Sequence, residues 1–146
     1  MKTKIMFKSE NEDYTDRAKQ FKRDDFWKQV RRTVNGEDVT DDQIALIVDQ
    51  IMTNLQPSLK AKLVDVGCGN GALTNLVGGH YKKVLGIDPS DYLIEIAKEF
   101  FENRTLNFFV AEAIDYTKLR SDDIYDHALM YGVSSFLSDE ELEYFF

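Results

Sequence analysis

The sequence predicts an α/β fold, a parallel sheet joined by helical crossovers, and three observations carry that expectation. Short apolar runs rich in β-branched residues alternate along the chain with segments of helical periodicity. The run Leu63-Val64-Asp65-Val66 passes directly into Gly67, Gly69 and Gly71, and residues 72–77 then have the composition of a helix. A second apolar run, Val84-Leu85-Gly86-Ile87, ends in Asp88, 17 residues after Gly71. Near-continuous apolar strands of this kind belong to sheets covered on both faces, and parallel neighbours are connected by right-handed crossovers.

The elements follow in order. Residues 8–42 are polar and charged, with aromatics at intervals (Tyr14, Phe21, Phe26, Trp27), and read as short helices that cover a ligand cleft. Thr33-Val34-Asn35-Gly36 is a turn. Thr40 and Gln43 have capping-box spacing, Ile44, Ile47, Ile51 and Leu55 repeat at helical intervals, and Pro57 stops that helix. Strands are expected at residues 62–66 and 83–87, a helix at 91–102 with Leu93, Ile96, Ala97 and Phe100 on one side, and strands at 107–111 and 125–131. Ser138 and Glu141 again have capping-box spacing and open a last helix. The expected organisation is an N-terminal helical lid over residues 1–42 and a ligand-binding α/β domain over 43–146.

Composition excludes several classes. With 146 residues, 43% of them hydrophobic and 30% charged, the chain can build one domain with a real core. A net charge of −8 disfavours nucleic acid and anionic membranes as partners, because such affinity rests on basic residues that neutralise phosphates. No run approaches the ~18 apolar residues that a transmembrane helix needs. The lone cysteine, Cys68, agrees with a cytoplasmic address. No metal site is expected.

The strand, glycine turn and helix N-terminus make a nucleotide-binding element, in which bare main chain and unpaired N–H groups face a ligand. Gly67, Gly69 and Ala72 also satisfy the dinucleotide fingerprint, so an NAD(P)-binding domain is an alternative. Asp65 argues against it: a carboxylate two positions before the first glycine would repel pyrophosphate, yet it suits a ligand that carries an ammonium group. Asp88 stands where an acid grips ribose hydroxyls.

These residues resemble the class I S-adenosylmethionine-dependent methyltransferases. The match has four parts in the family's order, DVGCGNG at 65–71, GIDPS at 86–90, VAEA at 110–113 and YDHALMYGVSSFL at 125–137, and covers roughly residues 60–140. The resemblance implies a Rossmann-like sheet of order 3-2-1-4 for the four strands, S-adenosylmethionine as cofactor and a small polar acceptor, with a sugar or sugar nucleotide as one option. The family's fold continues with three more strands, so a C-terminally truncated chain is expected. A short form that buries its open sheet edge by self-association is the alternative, and cofactor binding without turnover is the rival to catalysis.

The resemblance also assigns residues. Asp65 helps to hold the methionine end, Gly67, Cys68 and Gly69 contribute backbone and shape, and Asp88 accepts from both ribose hydroxyls. Pro89 and Ser90 line the ribose and adenine edge, Leu93 packs on one adenine face, and Glu112, Ala113 and Ile114 meet the adenine amine and ring. Met130 and Tyr131 border the methionine ammonium and the acceptor pocket. On the lid, Tyr14 closes over the sulfonium by cation–π attraction and Arg17 pairs with the methionine carboxylate. Where many relatives carry two histidines, this chain has Ser134 and Ser135, poor bases at neutral pH, so no catalytic residue is assigned. Lys22, Arg23, Lys28, Arg31 and Arg32 form a basic stretch that reads either as a solvated face or as a greeting for an anionic acceptor.

Overall fold

The computed structural model describes residues 14–115 and 124–132. Its centre is a four-stranded parallel sheet built from β3 (Lys62–Val66), β4 (Lys83–Asp88), β5 (Leu106–Val110) and β6 (His127–Leu129), in the order β5-β4-β3-β6. That is the expected 3-2-1-4 order of a Rossmann-like sheet. β5 begins and ends one residue earlier than the sequence suggests, and β6 is shorter than the expected 125–131. The hairpin preceding the sheet is new: β1 (Thr33–Val34) pairs antiparallel with β2 (Glu37–Asp38). Asn35 (φ +53) and Gly36 (φ +81) supply the two positive φ values that such a tight hairpin turn requires. Among the described residues of the segment expected to be a helical lid, α1 (residues 14–18) and α2 (Phe26–Gln29) are helical and the β1–β2 hairpin follows them.

α3 (Asp41–Leu55) opens on the capping box read from the sequence. Gln43 N donates to Thr40 Oγ1 at 3.3 Å and Thr40 N donates to Gln43 Oε1 at 3.0 Å. It ends at Gln56, held left-handed at φ +49, just before Pro57. α4 (Ala72–Gly78) and α5 (Asp91–Phe101) follow β3 and β4 as crossovers. Together α3, α4 and α5 bury Ile51, Leu73, Val77, Ile94 and Ala97 against Leu63, Val84, Leu106, Phe108 and Leu129 of the sheet. The opposite face carries Val64, Val66, Leu85 and Ile87, with Ala111 and Ala113.

Phe108 explains two glycines. Its ring is fully buried, and a Cβ on Gly71 or Gly86 would fall 2.7 or 2.6 Å from it. The sheet is thus packed tightly beneath the turn that follows β3. Because all four strands run parallel, the segments after β3, β4, β5 and β6 meet along one edge, the usual ligand side of an open α/β sheet. The helix expected from Ser138, and Ser134 and Ser135, lie outside the described residues. Among the described residues, no helix is long and apolar enough to cross a membrane.

Candidate functional site

The turn after β3 is built from bare main chain. Gly67, Gly69 and Gly71 have φ of +74, +57 and +75, values that side chains with a Cβ rarely adopt. Gly67 N and Cys68 N both donate to Ile87 O, at 2.8 and 2.9 Å, which ties the turn to the neighbouring strand. Gly69 N donates to Asp88 Oδ2 at 3.0 Å, and Ser90 N donates to Asp88 Oδ1 at 2.9 Å. Asp88 therefore holds the glycine turn and the start of α5 at once. With one N–H on each oxygen, the carboxylate keeps further lone pairs for hydroxyl donors. Burial pushes its pKa up to about 6 against the pull of the Ser90 and Gly69 N–H groups, and Glu112 adds to the rise.

Asp65 is turned towards α4. It is 4% exposed and accepts from the Thr74 hydroxyl of α4 at 2.6 Å. The acid that caps the glycine turn is Asp88. Burial raises Asp65 to about 6, opposed by the Thr74 hydroxyl, reinforced by Asp88 and eased by Arg32. Cys68 lies on the same turn. Burial, together with Asp88 and Asp65, pushes its thiol well above the ordinary range, so the thiolate is suppressed.

The remaining expected residues lie along the same edge, with one exception. Pro89 is partly exposed, and Ser90 is the N-cap of α5, accepting from Leu93 N at 3.3 Å. Leu93 is fully buried and offers no surface to a ligand in this conformation, because its position on α5 points inward to the core. Glu112 is exposed, Ala113 is buried, and Ile114 lies within the 3-10 turn Ala113–Asp115 after β5. The partly exposed Met130 and the exposed Tyr131 follow β6.

Residues 14–32 cross over this edge. Tyr14 OH donates to Val30 O at 2.8 Å, and the Thr15 and Ser90 hydroxyls share a hydrogen bond of 2.7 Å. Burial, with Asp88 nearby, raises the Tyr14 pKa to about 12, so Tyr14 stays a neutral phenol. Val30 sits on the glycine turn, its Cγ1 only 3.1 Å from where a Cβ of Gly69 would stand. Beneath it lies a buried polar chain with no periodic signature in the sequence. Asn70 Nδ2 donates to Phe26 O (2.8 Å) and Gln29 Oε1 (2.9 Å), Asn70 Oδ1 accepts from Ala72 N (3.2 Å), and Gln29 Nε2 donates to Lys22 O (2.6 Å). The available signal was Asn70 itself, a helix-capping type just before α4.

Arg32 was noted only as one member of a basic stretch. Its guanidinium stands 4.7 Å above the Tyr131 ring, and its Nη1 is 3.9 Å from where a Cβ of Gly132 would be. Arg32 Nε and Arg17 Nε are both buried without a hydrogen-bond partner. Two orphaned guanidinium N–H groups, a bare glycine turn and the half-buried Asp88 carboxylate with spare lone pairs suit a ligand that combines an oxyanion with a ribose. Among the described residues, no group of three or more His, Cys, Asp or Glu is placed to hold a metal ion.

Comparison with known proteins agrees with this geometry. A family model described as a methyltransferase domain matches residues 63–146. The chain is similar to a Saccharomyces cerevisiae protein described as a probable S-adenosylmethionine-dependent methyltransferase. The two are 33% identical over 82 residues, which is 53% of this chain and 28% of that protein. It is also similar to the ubiquinone biosynthesis O-methyltransferase of Coxiella burnetii, 43% identical over 53 residues, or 36% of this chain and 23% of that one. The chain thus spans about a quarter of the length of these curated relatives. In fold it matches the Haemonchus contortus phosphoethanolamine N-methyltransferase 1, with a TM-score of 0.71 at 19% identity, covering 98% of this chain and 28% of that one.

Proposed function

This chain belongs to the class I S-adenosylmethionine-dependent methyltransferase family, whose cofactor is S-adenosylmethionine, and on that premise we propose that it directs methyl transfer to a small polar acceptor. The observation that carries the reading is the double anchoring of Asp88 to Gly69 N and Ser90 N. It fixes an acid and a bare-backbone turn as one rigid unit at the sheet edge. The cofactor, when bound, supplies a methyl group on a sulfonium centre that is already a good leaving group.

The chain's own residues bind and orient it. Asp88 accepts from the ribose hydroxyls in a charge-assisted contact. Gly67, Cys68 and Gly69 give main chain against which the ligand lies, and Pro89, Ser90, Glu112, Ala113 and Ile114 border the base. Asp65, as a carboxylate, favours the methionine ammonium across the turn. Arg32, which stacks on Tyr131 after β6 and whose charge eases the pKa of Asp65, takes the methionine carboxylate in place of Arg17. Tyr14, Tyr131 and Met130 wall the side where the acceptor arrives, so alignment of the two reactants is what the protein contributes.

A net charge of −8 weighs against a nucleic acid acceptor, and the single Cys68 fits a reducing, cytoplasmic setting. Calorimetric titration tests the cofactor: S-adenosylhomocysteine should bind and NAD should not. Radiolabelled methyl transfer to a metabolite panel, sugars and sugar nucleotides included, tests turnover against binding alone. NAD binding without S-adenosylhomocysteine binding defeats the proposal.

A further inference from the structure

We infer that the methyl acceptor carries an oxyanion, a phosphate or a carboxylate, and that Arg17 on the lid holds it. The inference rests on the methyltransferase reading above and on a count of arginines against anions. The bond between Tyr14 OH and Val30 O brings α1 beside the segment that carries Arg31 and Arg32. Arg17 lies three residues after Tyr14, on the same helical face. Three arginines therefore gather around one phenol at the mouth of the cleft.

Three of their four basic neighbours, Lys19, Arg23 and Lys28, are paired, and Lys22 forms no ion pair among the described residues. Arg23 pairs with Glu99, Lys28 with Asp25 and Asp38, and Lys19 with Asp16. Among the described residues, Arg17, Arg31 and Arg32 form no ion pair, although acidic residues outnumber basic ones 26 to 18 in the chain. Arg17 and Arg32 go further, since each buries Nε with no acceptor. A buried N–H without a partner is costly and persists where a ligand completes it. Arg31, at φ +50, is the left-handed residue that closes α2, with Arg31 N bonded to Lys28 O and Arg32 N to Trp27 O, so the helix end itself turns Arg31 and Arg32 out of the helix.

S-adenosylmethionine brings one carboxylate. A guanidinium grips a carboxylate with two parallel hydrogen bonds, so one arginine is enough for it. Arg32 stands at the end of β6 over Tyr131. Arg17 lies against Phe21, with its carbon centre 5.4 Å from the ring centroid, and is left without an anion. A second oxyanion on the acceptor satisfies it, and the same contact would draw the acceptor under the lid beside the reacting group.

The test uses the whole chain and its Arg17→Gln and Arg32→Gln variants. Each is titrated with S-adenosylhomocysteine and with 5′-methylthioadenosine, which lacks the methionine end. Each is then saturated with S-adenosylhomocysteine and titrated with inorganic phosphate or with acetate. Arg32→Gln should lose roughly ten- to a hundredfold in S-adenosylhomocysteine affinity and nothing for methylthioadenosine. Arg17→Gln should bind both nucleosides within about twofold of wild type and lose saturable anion binding to the loaded protein. Whichever anion the loaded wild type binds identifies the source as phosphate or carboxylate. Equal losses of S-adenosylhomocysteine affinity in both variants mean that the two arginines clamp one carboxylate, and the inference fails. It also fails if the loaded wild type binds neither anion, or if Arg17→Gln binds anions as wild type does. A wild type that does not bind S-adenosylhomocysteine overturns the parent reading and this one together.

Discussion

Asn70, in the middle of the glycine turn, donates from Nδ2 to Gln29 Oε1 at 2.9 Å, and both side chains are buried. The contact spans 41 positions and joins the proposed cofactor loop to the segment lying over it. Asn70→Ala would leave Gln29 Oε1 and Phe26 O without this donor. An unsatisfied buried polar group costs about 1–3 kcal/mol, so a loss of about 2 kcal/mol or more in stability is expected in denaturant titration. Amide exchange should quicken in residues 14–32 before it does in the sheet. Combined with Gln29→Ala, the loss should fall short of the sum by at least about 0.5 kcal/mol. Additive losses and unchanged exchange would show that the two residues are not coupled.

Asp88→Ala removes the acceptor proposed for the ribose. The expected loss in S-adenosylhomocysteine affinity is about 1.5–3 kcal/mol, or roughly ten- to a hundredfold, read by calorimetry on a variant whose circular dichroism is native. Unchanged affinity in a folded variant would remove the ribose from the end of β4.

Much of this architecture is legible in the chain because burial writes itself into periodicity. Leu63, Val64, Val66 and the run from Val84 to Ile87 are apolar since the sheet is covered there, and Thr40 with Gln43 announces α3 by spacing alone. The β1–β2 hairpin showed only its turn, Asn35-Gly36, and not its strands. Its strands are two residues long and exposed, so no alternation exists to be read. Asp88 was legible because the length of the crossover places it at the ligand edge. The partnership of Asp65 with Thr74 was not, since strand periodicity gives a face and not a side-chain partner. Arg32 was hidden among like charges until the ion pairs of Arg23 and Lys28 set it apart.

Gly69 and Gly71 should respond differently to the same small change. Alanine at either position enters the left-handed region, at about 1–2 kcal/mol. At Gly71 the new Cβ would also stand 2.7 Å from the Phe108 ring and 3.0 Å from Ala97, a crowding that adds about 1–3 kcal/mol. At Gly69 it meets only Val30 Cγ1, at 3.1 Å, which can yield by a few tenths of an ångström. Gly71→Ala should therefore melt well below wild type. Gly69→Ala should keep most of its stability and lose cofactor affinity, because the added carbon stands on the ligand's backbone platform. Thermal melts and calorimetry on both variants decide it, and a Gly69→Ala protein that binds as wild type does would move the cofactor off this turn.

The last prediction concerns proton linkage at Asp65. Its pKa stands at about 6 in the fold against an ordinary 3.8, so between those values the native state keeps a proton that the unfolded chain has released. Stability from this group is then fully present below about pH 4 and falls as pH rises through 6. A gap of about two units corresponds to about 3 kcal/mol of strain carried at neutral pH. Asp65→Asn removes that charge while its amide can still bond the Thr74 hydroxyl, so the ligand-free variant should be more stable than wild type at pH 8, by about 1–3 kcal/mol. The decline between pH 4 and 6 should flatten to the part that Asp88 contributes. Binding should move the other way. The ionised carboxylate is what favours an ammonium, so wild-type affinity for S-adenosylhomocysteine should rise from pH 5 to pH 7, and the variant should bind more weakly with a flatter profile. Denaturant titrations from pH 4 to 8, paired with calorimetry, test both halves. A variant that is less stable at pH 8 and binds undiminished would mean that Asp65 serves only to hold Thr74.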